Sequence, residues 1–434
     1  MKKLKAHIAN NLLLKITSFN SIAIIINVVV GVLTSKALAE FVGPKGMASV
    51  GNLRDFLKTI YALATFGIFS GVVKYTAEHK KEPTELQKVL STALAIILVA
   101  TILVSVALYL GATYWNHLIF EGKEFSYIFK ILAFVLPLYA LNMFCLGIIN
   151  GFEKYKKFIV VNIVGYLVNL VVTVYLVWKY QLDGALVALS IVPSILLIFS
   201  VLLLYKEHVS LPKLHSKAFS KKYFKKYLSY TIMAAVSAFV FPIIYVFVRN
   251  HIIETIGADE AGYWEAMQRI SNQYLIFVTS LLSLYVLPKL SENKTVKGFR
   301  SIVFSFYKTI LPIFGIGLIL IYFLRIYVIQ FVYNEEFLAT ESLFIWQLLG
   351  DFFKVISLVI AYQLYAKKML GHYLFVEIAS LLLFYFLSIY LTNEVGIEGV
   401  VMAHCIRSFI ALVLLVLIFW KSLFGKIDAE NTEV

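Results

Sequence analysis

The chain has 434 residues, of which 61% are hydrophobic and only 15% charged, with a formal net charge of +14. A soluble core of that size carries far more charge, so a water-soluble globular fold is excluded. The positive balance would suit a nucleic-acid partner, but its distribution along the chain argues for a topology signal instead.

Apolar runs of about 20 residues recur from end to end, each long enough to cross a ~30 Å hydrocarbon layer as a helix. The spans expected are 12–36, 47–73, 88–114, 127–150, 158–178, 184–206, 225–249, 263–288, 300–323, 340–365, 372–392 and 397–420. The start, Lys2 to Lys5 followed by Leu12 to Val30, imitates a signal peptide. It lacks a small-residue cleavage site and carries Lys15, Asn20 and Asn27, so an uncleaved first helix is expected.

With twelve crossings, the lysines and arginines fall in alternate loops. One side takes Lys2, Lys3 and Lys5, then Lys80, Lys81 and Lys88, then Lys154, Lys156 and Lys157, the run Lys213 to Lys226, then Lys289, Lys294, Lys297 and Arg300, then Lys367 and Lys368, and finally Lys421 and Lys426. The other side carries few cations and holds Glu254, Asp259, Glu260, Glu335 and Glu336. By the positive-inside rule both termini are cytoplasmic.

A fixed numbering offset relates the two halves: Arg54 and Arg269 are 215 positions apart (269 minus 54). The same offset carries Lys74 to Lys289, Asp183 to Glu398, Gly184 to Gly399, Ala188 to Ala403 and Lys206 to Lys421. An ungapped offset of half the chain is the mark of tandem duplication. Each half crosses an even number of times, so the repeats are parallel, related by an axis along the membrane normal. The reading is an all-α integral membrane protein of twelve transmembrane helices, in two parallel six-helix repeats around a central cavity. Its organisation is a lobe over 1–207, a basic cytoplasmic linker over 208–224, a second lobe over 225–420 and a cytoplasmic tail over 421–434.

Ionisable groups inside apolar helices are functional candidates by default, because each is expensive in hydrocarbon. In the second helix Arg54 and Lys58 share a face, with Asp55 three before Lys58. A competing reading makes Asp55–Lys58 an internal pair that only holds helices together, leaving Arg54 without a local partner. In the eighth, Glu265, Gln268, Arg269 and Asn272 form an i, i+3, i+4, i+7 stripe that must face the bundle interior or water. In the tenth, Gln347, Asp351 and Lys354 form another, where Asp351–Lys354 is equally readable as a helix-locking ion pair. Glu377, His404 and Arg407 complete the set; a carboxylate or imidazole there is a candidate for coupling transport to protons.

The amides Asn20, Asn27, Asn162 and Asn169 suit interhelical hydrogen bonds. Arg249 and Arg325, at external helix ends, read as snorkelling anchors, with Arg249 also a candidate guard of an outer gate. Cys145 and Cys405 have no metal or redox spacing and read as inert packing residues. No Walker A sequence, zinc-ligand cluster or serine elbow is present, and the external loops are short for a glycosyltransferase or polymerase.

Several buried cations with few opposing anions suit a multiply negative ligand, and guanidinium is well shaped for phosphate oxygens. The run VGPKGMASVGNLRDF at 42–56, with GIFSGVVKYTAEH at 67–79, resembles the start of the O-antigen translocases of the multidrug/oligosaccharidyl-lipid/polysaccharide exporter superfamily. LSLYVLPKLSE, ending at Glu292, and LFIWQLLGDFFKV at 343–355 resemble its lipid III flippase branch.

The resemblance implies flipping of an undecaprenyl-pyrophosphate-linked oligosaccharide across a bacterial inner membrane by alternating access. The glycan would be an O-antigen unit or the enterobacterial common antigen carrier. Arg54, Arg269, Lys58 and Lys354 would bind the pyrophosphate. Asp55, Glu265, Gln268, Asn272, Gln347, Asp351, Glu377, His404 and Arg407 would line the cavity or couple an ion. No cofactor, metal or nucleic acid is expected; a proton or sodium gradient would supply any coupling. Membrane lipids, a polysaccharide polymerase and other assembly proteins are the expected partners. The alternatives are a cation-coupled multidrug antiporter of the same superfamily, which predicts an acidic and aromatic cavity, and a membrane polysaccharide polymerase or glycosyltransferase.

Overall fold

The computed structural model describes residues 12–120, 123–206, 219–293 and 295–425, with backbone alone over 12–19 and 229–240. Lys2, Lys3, Lys5, Lys213, Lys217, Lys294 and Lys426, most of the expected linker and most of the expected tail lie outside the described residues. Every described element is helical. The first half holds α1 (Leu12–Thr65), α2 (Phe69–His79), α3 (Pro83–Leu110), α4 (Ala112–Phe120), α5 (Ser126–Gly151), α6 (Tyr155–Ile195) and α7 (Leu197–Lys206). After the undescribed stretch come α8 (Lys221–Thr255), α9 (Ala258–Leu281), a π-helical turn (Leu282–Val286), α10 (Leu287–Glu292) and α11 (Val296–Phe323). The chain then runs through α12 (Arg325–Val332), a 3-10 helix (Glu335–Leu343), α13 (Phe344–Ala366), α14 (Leu370–Val395), α15 (Glu398–Ile418) and α16 (Trp420–Phe424).

Among the described residues nine segments are long and apolar enough to cross a membrane. Two of them, Asn20–His79 and Tyr155–Lys206, run 60 and 52 residues. At ~1.5 Å per residue each exceeds twice a ~30 Å hydrocarbon layer. Non-helical residues lie inside both, Gly43 (φ 68°, ψ −178°) in α1 and Gln181 (φ 47°, ψ −123°) in α6, and the first breaks again between α1 and α2 at Phe66 (φ 53°) and Gly67 (φ 59°). The short helices α4 and α12, read from sequence as span ends or connections, are helical because their backbone donors must be satisfied locally.

The duplication is visible in the backbone. Left-handed conformations at Glu153 (φ 59°) and Lys368 (φ 55°) are related by the 215 offset (368 minus 153), as are Gln181 (φ 47°) and Gly396 (φ 72°). The first repeat holds a glutamine in this costly region where the second uses glycine, which has no Cβ to clash. Three residues on, Gly184 and Gly399 make the same close approach. A Cβ on Gly184 would lie 1.9 Å from the Leu176 carbonyl oxygen, and one on Gly399 would lie 2.4 Å from that of Leu391. The preserved offset (391 minus 176) extends to the contacted residues.

The chain forms two compact units, one holding the chain up to Val42 plus Ser49–Val246, the other Gly43–Ala48 plus Phe247 onward. The first has a core around Ile68, Val72, Val89, Phe144, Ile148 and Tyr227. The second has one around Val278, Val286, Phe299, Val303, Val355 and Phe419. Gly43–Ala48 joins the second unit through α9: a Cβ on Gly262 would sit 2.0 Å from the Pro44 carbonyl oxygen, and Lys45 pairs with Asp259 at 3.6 Å. Large apolar side chains such as Leu110, Phe134 and Phe331 stay exposed, as expected where the solvent is hydrocarbon.

Gly184→Leu and Gly399→Leu should each lower stability by about 3 kcal/mol or more, because the new side chain meets backbone rather than a movable side chain. Gly317→Ala, with nothing within 4 Å of its Cβ position, should leave stability unchanged or raised. Thermal unfolding of the detergent-solubilised protein checks all three.

Candidate anion-binding site

The candidate residues fall into three clusters, each inside one unit. In the first unit Asp55 is 1% exposed, and its Oδ1 takes Lys58 Nζ at 2.8 Å and Arg54 Nη2 at 3.5 Å. The α1 helix places all three within one turn, so both cations reach one carboxylate oxygen. The expectation that Arg54 stands without a local partner is therefore corrected: Asp55 is shared. Lys58 keeps about half its side chain exposed and Arg54 about a fifth.

The second cluster joins α8 to α9. Glu265 is fully buried; its Oε1 accepts from Arg269 Nε at 2.9 Å, and its Oε2 pairs with Arg249 Nη2 at 3.2 Å. Arg249 is fully buried, with its guanidinium carbon 5.1 Å from the centroid of the Trp264 ring. This overturns its reading as a snorkelling anchor. The sequence reading ended that helix at Arg249, whereas α8 continues to Thr255 and carries the arginine inside the unit. Arg325 does sit at a helix start, stacked 4.5 Å from the Tyr322 centroid and paired with Glu341 at 2.7 Å.

Arg269 commits only its Nε. Among the described residues its two terminal nitrogens have no protein partner, and its side chain is 14% exposed. The i, i+4 spacing with Glu265 thus orients the guanidinium while leaving its terminal fork uncommitted, the arrangement that binds carboxylate or phosphate bidentately. Again two cations face one carboxylate.

The third cluster is centred on Asp351, fully buried on α13. Ser271 Oγ donates to Oδ2 at 2.6 Å, Gln347 Nε2 donates to it at 3.1 Å, and the Tyr274 hydroxyl donates to it as well. His404 Nε2 lies 3.1 Å from Oδ1. Gly350 makes this possible: a Cβ there would meet the His404 ring at 2.6 Å and the Cys405 backbone at 3.0 Å, so glycine lets α13 and α15 close up. The Asp351–Lys354 ion pair does not form, because donors from α9, α13 and α15 take both oxygens and Lys354 makes no ion pair within 4 Å among the described residues. Lys354 nonetheless lies within electrostatic reach of Asp351, Arg407 and Glu377.

The α9 stripe divides in the structure. Glu265 and Gln268 are buried, Gln268 reaching Gln347 at 3.4 Å, whereas Asn272 is exposed and takes no part in the buried network. Sequence reading missed Ser271 and Tyr274, and took Arg249 for an anchor or gate guard rather than a partner of Glu265. Ser271 and Tyr274 follow Gln268 by three and six positions, a spacing that would have found them had hydroxyls been counted with amides. Asn169, expected to bond between helices, accepts from Thr173 Oγ1 of its own helix at 3.3 Å.

Residues 13–294 match the family model described as polysaccharide biosynthesis protein. The chain is 28% identical over 396 residues to a lipid III flippase from Escherichia coli (strain K12), covering 90% of this chain and 94% of that protein. In fold it is similar to an inward-facing multidrug resistance MATE family transporter of the MOP superfamily, with a TM-score of 0.76 at 14% identity over 91% of this chain and 94% of that one. It is also similar to the lipid II flippase MurJ in an inward closed conformation, with a TM-score of 0.70 at 18% identity over 94% of this chain and 89% of that one. This is a multi-pass membrane transporter rather than an enzyme, and the chain belongs to the polysaccharide biosynthesis protein family.

Proposed function

We propose that this protein is a flippase for an undecaprenyl-pyrophosphate-linked oligosaccharide, an O-antigen unit or the enterobacterial common antigen carrier. It would move that lipid from the cytoplasmic to the periplasmic leaflet of a bacterial inner membrane by alternating access, with both termini cytoplasmic. The observation that carries this reading is Arg269: a cation on an apolar helix, partly exposed, that commits only its Nε to Glu265. Such an arrangement is costly unless a negative ligand uses it. The lipid III flippase from E. coli moves a ligand of the class proposed here, judged by its name and its 28% identity.

Arg54 with Lys58, and Arg269 with Lys354, bind the diphosphate. The glycan follows through a hydrated path, and the prenyl chain stays in lipid. Asp55 and Glu265 hold their arginines in place. Asp351 and His404 tie α9, α13 and α15 together beside Lys354, Glu377 and Arg407, where an ion gradient could act. A polysaccharide polymerase and other assembly proteins are the partners this role implies. A multidrug antiporter, whose substrates are commonly cationic, would be opposed by the uncommitted terminal nitrogens of Arg269.

The test is sided accessibility of a labelled undecaprenyl-pyrophosphate trisaccharide in proteoliposomes. Wild-type protein should deliver it to the far leaflet, and Arg54→Ala/Arg269→Ala should slow that by at least roughly tenfold with folded protein retained. Normal flipping by the double variant would refute the assignment. Asp351→Ala should instead act on stability, lowering it by about 3–5 kcal/mol, since its buried donors would lose their acceptor. Thermal melting in detergent reads that loss, and Asp351→Asn should lose less.

A further inference from the structure

Outside the three clusters, one histidine joins three helices of the first unit. His79 ends α2, and its Nδ1 lies 3.2 Å from Oε2 of Glu82, the residue before α3. Its Nε2 lies 3.1 Å from the hydroxyl oxygen of Tyr223, which is buried in the first turn of α8. The same hydroxyl donates to Glu85 Oε2 at 2.8 Å, while Glu85 Oε1 takes Lys88 Nζ at 2.7 Å. Tyr223 and Tyr227 belong to the first unit's core, so α8 begins there, and it passes into the second unit after Val246.

Counting protons fixes the state of the imidazole. A phenol carries one proton, and Tyr223 gives it to the carboxylate of Glu85. The hydroxyl oxygen can then only accept from His79, so Nε2 carries a proton. Glu82 is also a carboxylate and only accepts, so the Nδ1 contact needs a second proton. Both ring nitrogens donate only in the imidazolium. A neutral ring satisfies one contact and turns a lone pair toward an oxygen at the other.

The surrounding charges leave this position open to titration. On α2 and the turn after it stand Glu78, Lys80 and Lys81; on the α3 side stand Glu82, Glu85 and Lys88. Lys222 and Lys226 of α8 lie 5.7 and 5.3 Å from the centroid of the Tyr223 ring. Lys80 pairs with Glu153, from the connection of α5 to α6, at 2.8 Å, and Glu78 pairs with Lys74 at 3.8 Å. Among the described residues the Glu82 carboxylate makes its contact with His79. We propose that a proton on His79 fastens the start of α8 to α2 and α3. The fastened state binds that proton more tightly than the open one. Fastening is therefore complete at low pH and weakens as pH rises through the range where imidazoles ordinarily titrate, roughly pH 5 to 8. The side chain of Glu82 is 60% exposed, which keeps the effect modest.

Hydrogen exchange of the full detergent-solubilised chain tests this. The amides of Lys225 to Leu228 are followed at about pH 5.5 and about pH 8, each corrected for the chemical exchange rate at that pH. Wild-type protein should open these amides at least about threefold more often at the higher pH. His79→Gln still donates to Tyr223 but cannot titrate, and should show no such change. Glu82→Gln should lose most of it, and Tyr223→Phe should disconnect α8 from it. A merely structural histidine would leave the wild type without a pH profile, and that result would overturn the proposal. A profile that survives His79→Gln would overturn it too. Should His79→Gln fail to fold, Glu82→Gln carries the test from an exposed position, and an unchanged profile there would refute the clasp.

Discussion

Hydrocarbon offers no water to a buried charge, so an ionised group inside this helical bundle has to be answered by another protein group or face a hydrated cavity. Asp55, Glu265 and Asp351 are the carboxylates that meet this constraint under the deepest burial, each at or near zero exposure. They are answered differently. Asp55 and Glu265 are each met by two cations, and Asp351 by a serine, a tyrosine, a glutamine and a histidine. The first two are met by guanidinium and ammonium groups; the third is held by hydroxyl, amide and imidazole groups. That difference separates groups suited to holding an anion from a group suited to holding helices.

The backbone makes these meetings possible. Helices approach closely only where a side chain is missing, and Gly350 occupies the point where α13 and α15 bring His404 to Asp351. Gly184 and Gly399 do the same at equivalent positions of the two repeats, each one turn beyond a break in helical geometry. Duplication has therefore preserved the framework more strictly than the chemistry. The clusters containing Arg54 and Arg269 both pair an arginine with a carboxylate, but Asp55 follows its arginine by one position whereas Glu265 precedes its own by four.

Much of this was legible in the residues because the signals were local. Apolar runs gave the all-helical membrane architecture, though nine segments rather than twelve are long and apolar enough to cross among the described residues, and i, i+3 and i+4 spacings gave the Asp55–Lys58 and Glu265–Arg269 pairs. What escaped was decided by how helices cross. Arg249 lies sixteen positions before Glu265 and meets it only because α8 runs on past the apolar stretch. The i, i+3 spacing of Asp351 and Lys354 favoured a pair, but donors from two other helices claimed the carboxylate first. Local spacing permits an ion pair; tertiary neighbours decide whether it is the best one available.

The uncommitted donors follow from the same logic. A guanidinium has five N–H groups and a carboxylate two oxygens, so a carboxylate shared between two arginines cannot saturate either. Glu265 spends one oxygen on each, and the geometry assigns Nε of Arg269 to the task rather than the terminal fork. Had the carboxylate faced the fork, Arg269 would be a closed structural pair like Arg325 with Glu341, whose contact uses a terminal nitrogen. Which guanidinium nitrogens an acid engages is thus what distinguishes an arginine that holds the fold from one that can still hold a ligand.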